Sequence, residues 1–164
     1  MSKPFTAAEE SGYYLTTRPV SGDEILSMAL GLIKRKFTRG KALTSPDASR
    51  DFLILKLAEL EHECFCCLYL DNQHRVLQFE SLFRGTIDGA SVYPREVVKR
   101  ALALNASAII FAHNHPSGTA DPSEADKFIT QRLKQALGLL DIRVLDHFIV
   151  GGAEVMSFAE KGLL

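Results

Sequence analysis

The stretch ASAIIFAHNHPSGTADPSEAD, residues 106–126, decides the fold. Its first seven residues are mostly apolar and β-branched in the middle, and this length and composition favour a buried strand over a helix. Pro116 and Gly118 then end the strand and begin a polar loop. Ser123, with the acidic Asp126 three residues later, is typical of a helix start. The stretch therefore predicts a buried strand, a loop and a helix in succession.

Two histidines follow the apolar run, one residue apart. Side chains on a strand alternate between faces, so His113 and His115 project together if extended backbone reaches them, while Asn114 points away. Neutral imidazoles are the commonest zinc ligands, and Asp126 in the first turn of the helix can reach the same ion. Three protein ligands leave a position for water, which is typical of a catalytic zinc site. Alone, an H-x-H pair is a weak signal, and Asp126 fits a simple helix cap.

A longer pattern makes the metal site more specific. The pattern H-x-H-P-x(6)-S-x(2)-D is filled at every fixed position, by His113, His115, Pro116, Ser123 and Asp126. It resembles the motif of the JAMM metalloproteases, the JAB/MPN domain family. The segments SLFRGTIDGASVYPREVVKRALALNASAIIFAHNHPSG and RVLDHFIVGG are similar to the RadC branch of that family. The resemblance extends from about residue 45 to the C-terminus.

The resemblance implies a zinc-dependent metallohydrolase, peptidase-like or isopeptidase-like, in which a metal-activated water attacks an amide. It implies that His113, His115 and Asp126 bind Zn²⁺ and that Ser123 donates a hydrogen bond to the tetrahedral oxyanion. It also implies that Glu80, in the sequence ESLFRG, is the general acid/base. By pattern alone Glu80 is a solvent-face residue of a strand. Three other carboxylates compete for its role around a helix end, where charge usually serves solvation: Glu59, Glu61 and Glu63.

The remaining pattern predicts an α/β fold. Helices are predicted from Ser21 to about residue 37, from Ser45 to about residue 62, and over residues 95–104. Strands are predicted over residues 63–70 and 75–83 as a hairpin, then over 143–150 and 154–157, with a terminal helical turn over 157–161. This order predicts a three-layer sandwich, a mixed β-sheet flanked by helices. The resemblance implies the same JAB/MPN (cytidine deaminase-like) fold, although the H-x-E and P-C-x-x-C motifs of zinc deaminases are absent from the sequence.

The domain organisation expected is an N-terminal arm and helix over residues 1–44 and a JAB/MPN (RadC-like) domain over residues 45–164. Residues 1 to about 20 show little apolar periodicity and are expected to be partly ordered at best. Tyr13 and Tyr14 could dock this arm on the domain or on another subunit, which allows a homodimer. Longer RadC members carry a helix-hairpin-helix-like segment ahead of the domain, and we expect this chain to be too short to hold it in full.

Composition places the chain among ordinary globular proteins, with 46% apolar and 24% charged residues and a net charge of −1. No global field therefore attracts nucleic acid or an anionic membrane. No apolar run is long enough to span a bilayer, and the N-terminus lacks the apolar region of a signal peptide, so a cytoplasmic protein is expected. Three cysteines crowd one predicted strand and are interpreted as free, packed thiols: Cys64, Cys66 and Cys67.

The alternative function is a DNA-repair-associated, nucleic-acid-binding or scaffold protein without peptidase activity. Its only support in the sequence is a basic cluster at the end of the first predicted helix: Lys34, Arg35, Lys36, Arg39 and Lys41. Compensation of the helix dipole explains the same cluster. The partner expected from the main hypothesis is an unidentified protein or peptide substrate. Asp146 and His147 interrupt an apolar strand. His147 is interpreted as a further metal ligand, as a hydrogen-bond partner behind the ligands, or as a residue at a sheet edge.

Overall fold

The computed structural model describes residues 4–10, 12–36, 39–40, 42, 46–58, 60–85 and 91–164. The chain divides into two compact units, residues 1–35 and 36–164. Some predicted features lie outside the described residues: the helix start at Ser45, Glu59, Lys41, the loop residues 86–89, and the side chains of Lys34 and Lys36. Within the described part of the chain, no helix is both long and apolar enough to cross a membrane.

The first unit contains a hairpin and a helix. Strands β1 (Phe5–Ala7) and β2 (Tyr14–Thr16) pair antiparallel, which adds ordered structure to the segment that we predicted as an arm. Three-residue strands are too short for an apolar alternation to show in the sequence. Helix α1 (Gly22–Lys36) begins after Ser21, as predicted. The Glu24 N–H donates to Ser21 Oγ at 3.2 Å, and the Ser21 N–H donates to Glu24 Oε2 at 3.0 Å, a reciprocal capping box.

The second unit is built on one mixed sheet, which confirms the predicted fold class. Its strands are β3 (Cys64–Leu70), β4 (Val76–Arg84), β5 (Ala108–Asn114), β6 (Arg143–Gly151) and β7 (Glu154–Ser157), in the spatial order β4-β3-β5-β6-β7. Strands β5 and β6 pair parallel, and the other neighbours in this sheet pair antiparallel. The helices are α2 (Pro46–Leu57), α3 (Pro94–Ala103) and α4 (Glu124–Gly138).

Both faces of the sheet are covered. On one face, alternate residues of β3 and β5 pack with α3 and α4 in the main core, which includes Phe65, Cys67, Tyr69, Ile109, Phe111, Val97, Ala101, Leu133 and Leu137. On the other face α2 contributes buried Phe52, whose ring meets that of Phe79 at 4.9 Å. Strand β3 is therefore buried along its whole length, which explains its nearly unbroken apolar sequence. Its three cysteines are free and buried, as interpreted.

The C-terminal segment contains the single helical turn predicted over residues 157–161. After β7 the chain forms hydrogen-bonded turns, in which the Lys161 N–H donates to Ser157 O at 3.2 Å and the Leu163 N–H donates to Phe158 O at 2.9 Å. The Phe158 ring is fully buried and lies against the β6 side of the sheet. Leu163 and Leu164 pack against the same cluster as Phe158, so apolar contacts hold this turn on the domain.

Candidate metal centre

The end of β5 positions the histidine pair. His113 pairs with Phe65 of β3 and with Ile149 of β6, and the His115 N–H continues the ladder by donating to Val150 O at 2.8 Å. The backbone is therefore extended through both histidines, which places their rings on one face as predicted. Asn114 points to the other face, where its Oδ1 accepts the Cys64 N–H at 2.8 Å.

The start of α4 positions the carboxylate. Ser123 is the N-cap, and its Oγ accepts the Asp126 N–H at 3.1 Å. In return, Asp126 Oδ2 accepts the Ser123 N–H at 2.7 Å and the Ser123 hydroxyl at 2.6 Å. This capping box fixes the carboxylate of Asp126, which is only 9% exposed, at the positive end of the helix dipole.

Three ligand atoms converge between these two elements. His113 Nε2 lies 3.0 Å from His115 Nε2 and 3.1 Å from Asp126 Oδ1, and His115 Nε2 lies 3.5 Å from Asp126 Oδ2. Ligands bound at about 2.0–2.1 Å to a tetrahedral zinc ion lie about 3.3–3.4 Å apart. The observed separations lie near that edge length, with each imidazole measured to a different carboxylate oxygen, and one ligand atom from each of the three residues lies within 4.8 Å of the other two.

The donor chemistry of the cluster also fits a cation. His115 Nδ1 lies 3.0 Å from Thr119 O, and a carbonyl oxygen can only accept, so the ring proton of neutral His115 sits on Nδ1. His115 Nε2 then presents a lone pair to the oxygens of Asp126. A ring-nitrogen lone pair and a carboxylate oxygen repel each other unless a proton or a metal ion lies between them.

The pKa shifts in the cluster have the same origin. Hydrogen bonding to Asp126 raises the pKa of His115, against the lowering effect of burial, and the charge of Glu63 adds a smaller increase. Burial alone would raise the pKa of Asp126, but its contacts with the two imidazoles and the hydrogen bond from the Ser123 hydroxyl hold it well below its ordinary value.

The loop between the ligands is held against the end of β6. Gly118 adopts a φ of 87°, which lets the chain turn back after Pro116. Gly151 lies under the loop so closely that an added Cβ would stand 2.3 Å from the carbonyl carbon of Thr119. Since Thr119 O accepts the His115 ring proton, close packing of backbone on backbone fixes the orientation of one ligand.

The structure places the predicted base, Glu80, apart from this cluster. Glu80 on β4 pairs with Cys67 on β3, which pairs with Phe111 on β5. Glu80 is therefore separated from His113 by two strand spacings across the sheet and two residues along the strand. A strand spacing of about 4.8 Å and a rise of about 3.3 Å per residue put the two Cα atoms about 12 Å apart. Both carboxylate oxygens of Glu80 accept hydrogen bonds from the Arg100 guanidinium, at 2.7 and 3.0 Å.

Glu63, one of the competing candidates, lies next to the cluster. The β3–β5 register pairs Phe65 with His113, and extending it by two residues puts Glu63 opposite His115 on the same face. The half-buried Glu63 acts electrostatically on His115. Within the described part of the chain, no hydrogen bond or ion pair occupies its carboxylate. The E-x-x-F-R-G context pointed to Glu80, and only strand register separates the two.

Two polar residues behind the ligands complete the site. His147 on β6 is fully buried, and its Nε2 lies 2.8 Å from His113 Nδ1. Its Nδ1 lies 2.6 Å from the hydroxyl of Thr130, which sequence analysis missed. The available signal was a polar residue at an inward position of α4, four residues after Asp126 and followed by inward-facing Leu133. His147 therefore makes the hydrogen bonds of one of the three alternatives considered, and the sheet-edge alternative is wrong because β6 pairs with both β5 and β7.

The chain resembles a known protein family over most of its length. A family model described as the RadC-like JAB domain matches residues 43–163. A UPF0758 protein of Chromohalobacter salexigens is 68% identical over 126 residues, which cover 77% of this chain and 56% of the relative. A UPF0758 protein of Nitrosococcus oceani is 61% identical over 139 residues, covering 85% of this chain and 62% of the relative.

A UPF0758 protein of Vibrio cholerae is 53% identical over 151 residues, which cover 92% of this chain and 95% of the relative. The chain thus spans about three-fifths of the length of the first two relatives and nearly all of the third. The names of these relatives state no activity. Similarity therefore identifies the family, and any reaction must be inferred from the geometry of the site.

Proposed function

The chain belongs to the RadC-like JAB domain family, and on that premise we propose that it is a zinc-dependent hydrolase that cleaves a peptide or isopeptide amide. The observation that carries the proposal is the convergence of His113, His115 and Asp126, with ligand atoms within 4.8 Å of one another. Three protein ligands leave a corner of a tetrahedral ion open, as catalytic zinc sites do. The amide class is taken from the JAMM resemblance.

The ligand types support zinc as the ion. His113 and His115 would bind it through Nε2 and Asp126 through a carboxylate oxygen, a set of nitrogen and oxygen donors that suits zinc. When bound, zinc supplies Lewis acidity and lowers the pKa of a water molecule to about 7. The protein contributes largely buried ligands, and in such surroundings electrostatic interactions and hydrogen bonds are stronger than in water.

We assign proton transfer to Glu63. Its carboxylate takes a proton from the attacking water as the oxygen bonds to the amide carbon, and returns that proton to the leaving nitrogen as the C–N bond breaks. Support comes from its register opposite His115 and from its unoccupied oxygens in the described part of the chain. Glu80 is disfavoured for this role because Arg100 holds both of its oxygens.

Ser123 remains the proposed oxyanion donor, with a condition set by the structure. Its hydroxyl proton is donated to Asp126 Oδ2 at 2.6 Å. To stabilise an oxyanion on the substrate, that proton must turn from the carboxylate to the substrate oxygen. The Ser123 N–H stays on Asp126 Oδ2 at 2.7 Å throughout, so the carboxylate keeps one partner during the exchange.

The test separates metal binding from proton transfer. The purified protein is stripped with a chelator, and zinc binding and hydrolysis are measured with quenched-fluorescent peptides and isopeptide-linked conjugates. One zinc ion per chain is expected for the wild type and none for His113→Ala combined with His115→Ala. Equal zinc in both proteins would end the metal proposal.

Matched glutamine variants identify the base. Glu63→Gln is expected to bind zinc normally and to lose about 10²–10⁴-fold in hydrolysis, the typical contribution of a positioned base. Glu80→Gln is the control and should hydrolyse within a few-fold of the wild type. The reverse result, with Glu80→Gln inactive and Glu63→Gln active, would restore Glu80 as the base.

A further inference from the structure

A chain of buried hydrogen bonds connects one ligand to the helix that carries another. His113 Nδ1 meets His147 Nε2 at 2.8 Å, and His147 Nδ1 meets Thr130 Oγ1 at 2.6 Å. The Thr130 hydroxyl in turn meets the main-chain carbonyl of Asp126 at 2.6 Å. The three side chains are each no more than 1% exposed, so water does not compete for these contacts.

The carbonyl at the end sets the direction of every bond in the chain. A carbonyl oxygen only accepts, so the single hydroxyl proton of Thr130 is donated to Asp126 O. The Thr130 oxygen must then accept, which puts the proton of His147 on Nδ1 and leaves a lone pair on its Nε2. That lone pair accepts a proton from His113 Nδ1. His113 Nε2 is thereby left with its lone pair toward His115 and Asp126.

We propose that Thr130 and His147 are positioning residues that hold His113 in the Nδ1–H tautomer, so that its Nε2 is always free to bind the metal. The inference rests on the proposed zinc function but concerns a state of the protein that exists before any metal binds. His115 reaches the same tautomer by a direct bond to Thr119 O. Carbonyl groups thus fix both imidazoles, one directly and one through two intermediate side chains.

Ring packing fixes the orientation of His147 in this relay, the hydrogen-bonded chain from His113 through His147 and Thr130 to Asp126 O. The His147 ring stacks on Phe158 at 4.8 Å with an interplanar angle of 25°, and the ring of Phe65 meets its edge at 5.4 Å. A ring held on both sides has little freedom to flip and exchange its two nitrogens.

The first test needs no variant and no metal. Nitrogen-15 NMR of the zinc-free protein, labelled at histidine, distinguishes a protonated from an unprotonated ring nitrogen. For His147 we expect a proton on Nδ1 and a lone pair on Nε2, and for His113 a proton on Nδ1. A His147 ring protonated on Nε2 would overturn the relay, whether or not the protein binds zinc.

The second test removes one link. Thr130→Val keeps the shape and deletes the hydroxyl, and Thr130→Ser is the matched control that keeps it. We expect Thr130→Val to change the His147 tautomer and to weaken zinc binding about 10–100-fold, the usual effect of losing such a partner, while Thr130→Ser behaves like the wild type. Unchanged tautomers and zinc affinity in a folded Thr130→Val would refute the proposal.

The outcomes separate the two proposals. A wild type with the expected tautomers that fails to bind zinc refutes the metal function and leaves the relay intact. A wild type that binds zinc with the opposite His147 tautomer refutes the relay alone. Because the wild-type spectrum decides these cases, a failure of Thr130→Val to fold does not protect the inference.

Discussion

Gly151→Ala is the sharpest perturbation that the structure offers. Gly151 ends β6 directly beneath the loop between the ligands, and an added Cβ would lie 2.3 Å from Thr119 C, 2.5 Å from Ala120 N and 2.7 Å from Thr119 O. Non-bonded carbon atoms rest about 3.5–4.0 Å apart. All three neighbours are backbone atoms, so no side chain can rotate away, and the loop must move by about 1 Å or more.

This displacement has two measurable effects. Overpacking of this kind costs about 1–3 kcal/mol of unfolding free energy. The same movement carries Thr119 O away from His115 Nδ1, and a bond of 3.0 Å lengthened by about 1 Å is no longer a hydrogen bond. His115 then loses the partner that fixes its tautomer, so we expect zinc affinity to fall about 10–100-fold.

The control is Gly138→Ala. Gly138 is the last residue of α4 and is exposed, and a Cβ added there would meet no atom within 4 Å. Replacing a helical glycine by alanine stabilises by roughly 0.5–1 kcal/mol, and zinc affinity should not change. Urea unfolding of the zinc-free proteins measures the first effect, and competition with a chromophoric chelator measures the second.

The refuting result is specific. If Gly151→Ala unfolds at the wild-type urea concentration and binds zinc with wild-type affinity, the loop does not rest on this glycine as the structure shows. If stability falls while zinc affinity is unchanged, the hydrogen bond from His115 to Thr119 does not orient the ligand. Gly138→Ala shows whether either change is merely the effect of adding a methyl group.

Three further predictions follow from the described contacts. Arg100→Gln breaks the ion pair with Glu80 and should lower the urea midpoint of unfolding only slightly, with unchanged zinc affinity; a loss of zinc binding would contradict the separation of Glu80 from the site. A hydrogen bond from Arg18 lowers the pKa of Glu24 to about 2. Since the folded pKa is depressed, this contribution to stability is present above the unfolded value of about 4.3 and lost as pH falls toward 2. NMR titration should show the pKa of Glu24 rising in Arg18→Gln, where the Ser21 N–H remains as a donor to the carboxylate. Burial raises the pKa of Cys66 to about 12, so a thiol reagent at pH 8 should react with Cys66 only after unfolding.

The sequence predicted the parts of the fold that depend on local chemistry. The apolar run before His113 and the Ser123–Asp126 pair specified a strand and a helix start, because strand alternation and capping involve residues that are close in the chain. The same spacing put the two histidines on one face. The short strands β1 and β2 escaped prediction because three residues are too few to show a period.

The register of pairing between strands could not be predicted from the sequence. The choice between Glu63 and Glu80 depends on which carboxylate strand pairing places beside the histidine pair. Each residue of register shift moves a side chain by about 3.3 Å along the strand. The local context of Glu80 matched the family pattern, yet its partner proved to be Arg100, twenty residues away along the chain.

The sequence by itself determined what kinds of ligand this protein carries and that two of them share a face, since both follow from residue type and backbone period. Only the tertiary structure decided which nitrogen of each histidine faces the cluster. That choice is made by Thr119 O and, through Thr130 and His147, by Asp126 O. Carbonyls have no signature in a sequence, because every residue has one; their directions exist only once β5, β6 and α4 are packed together.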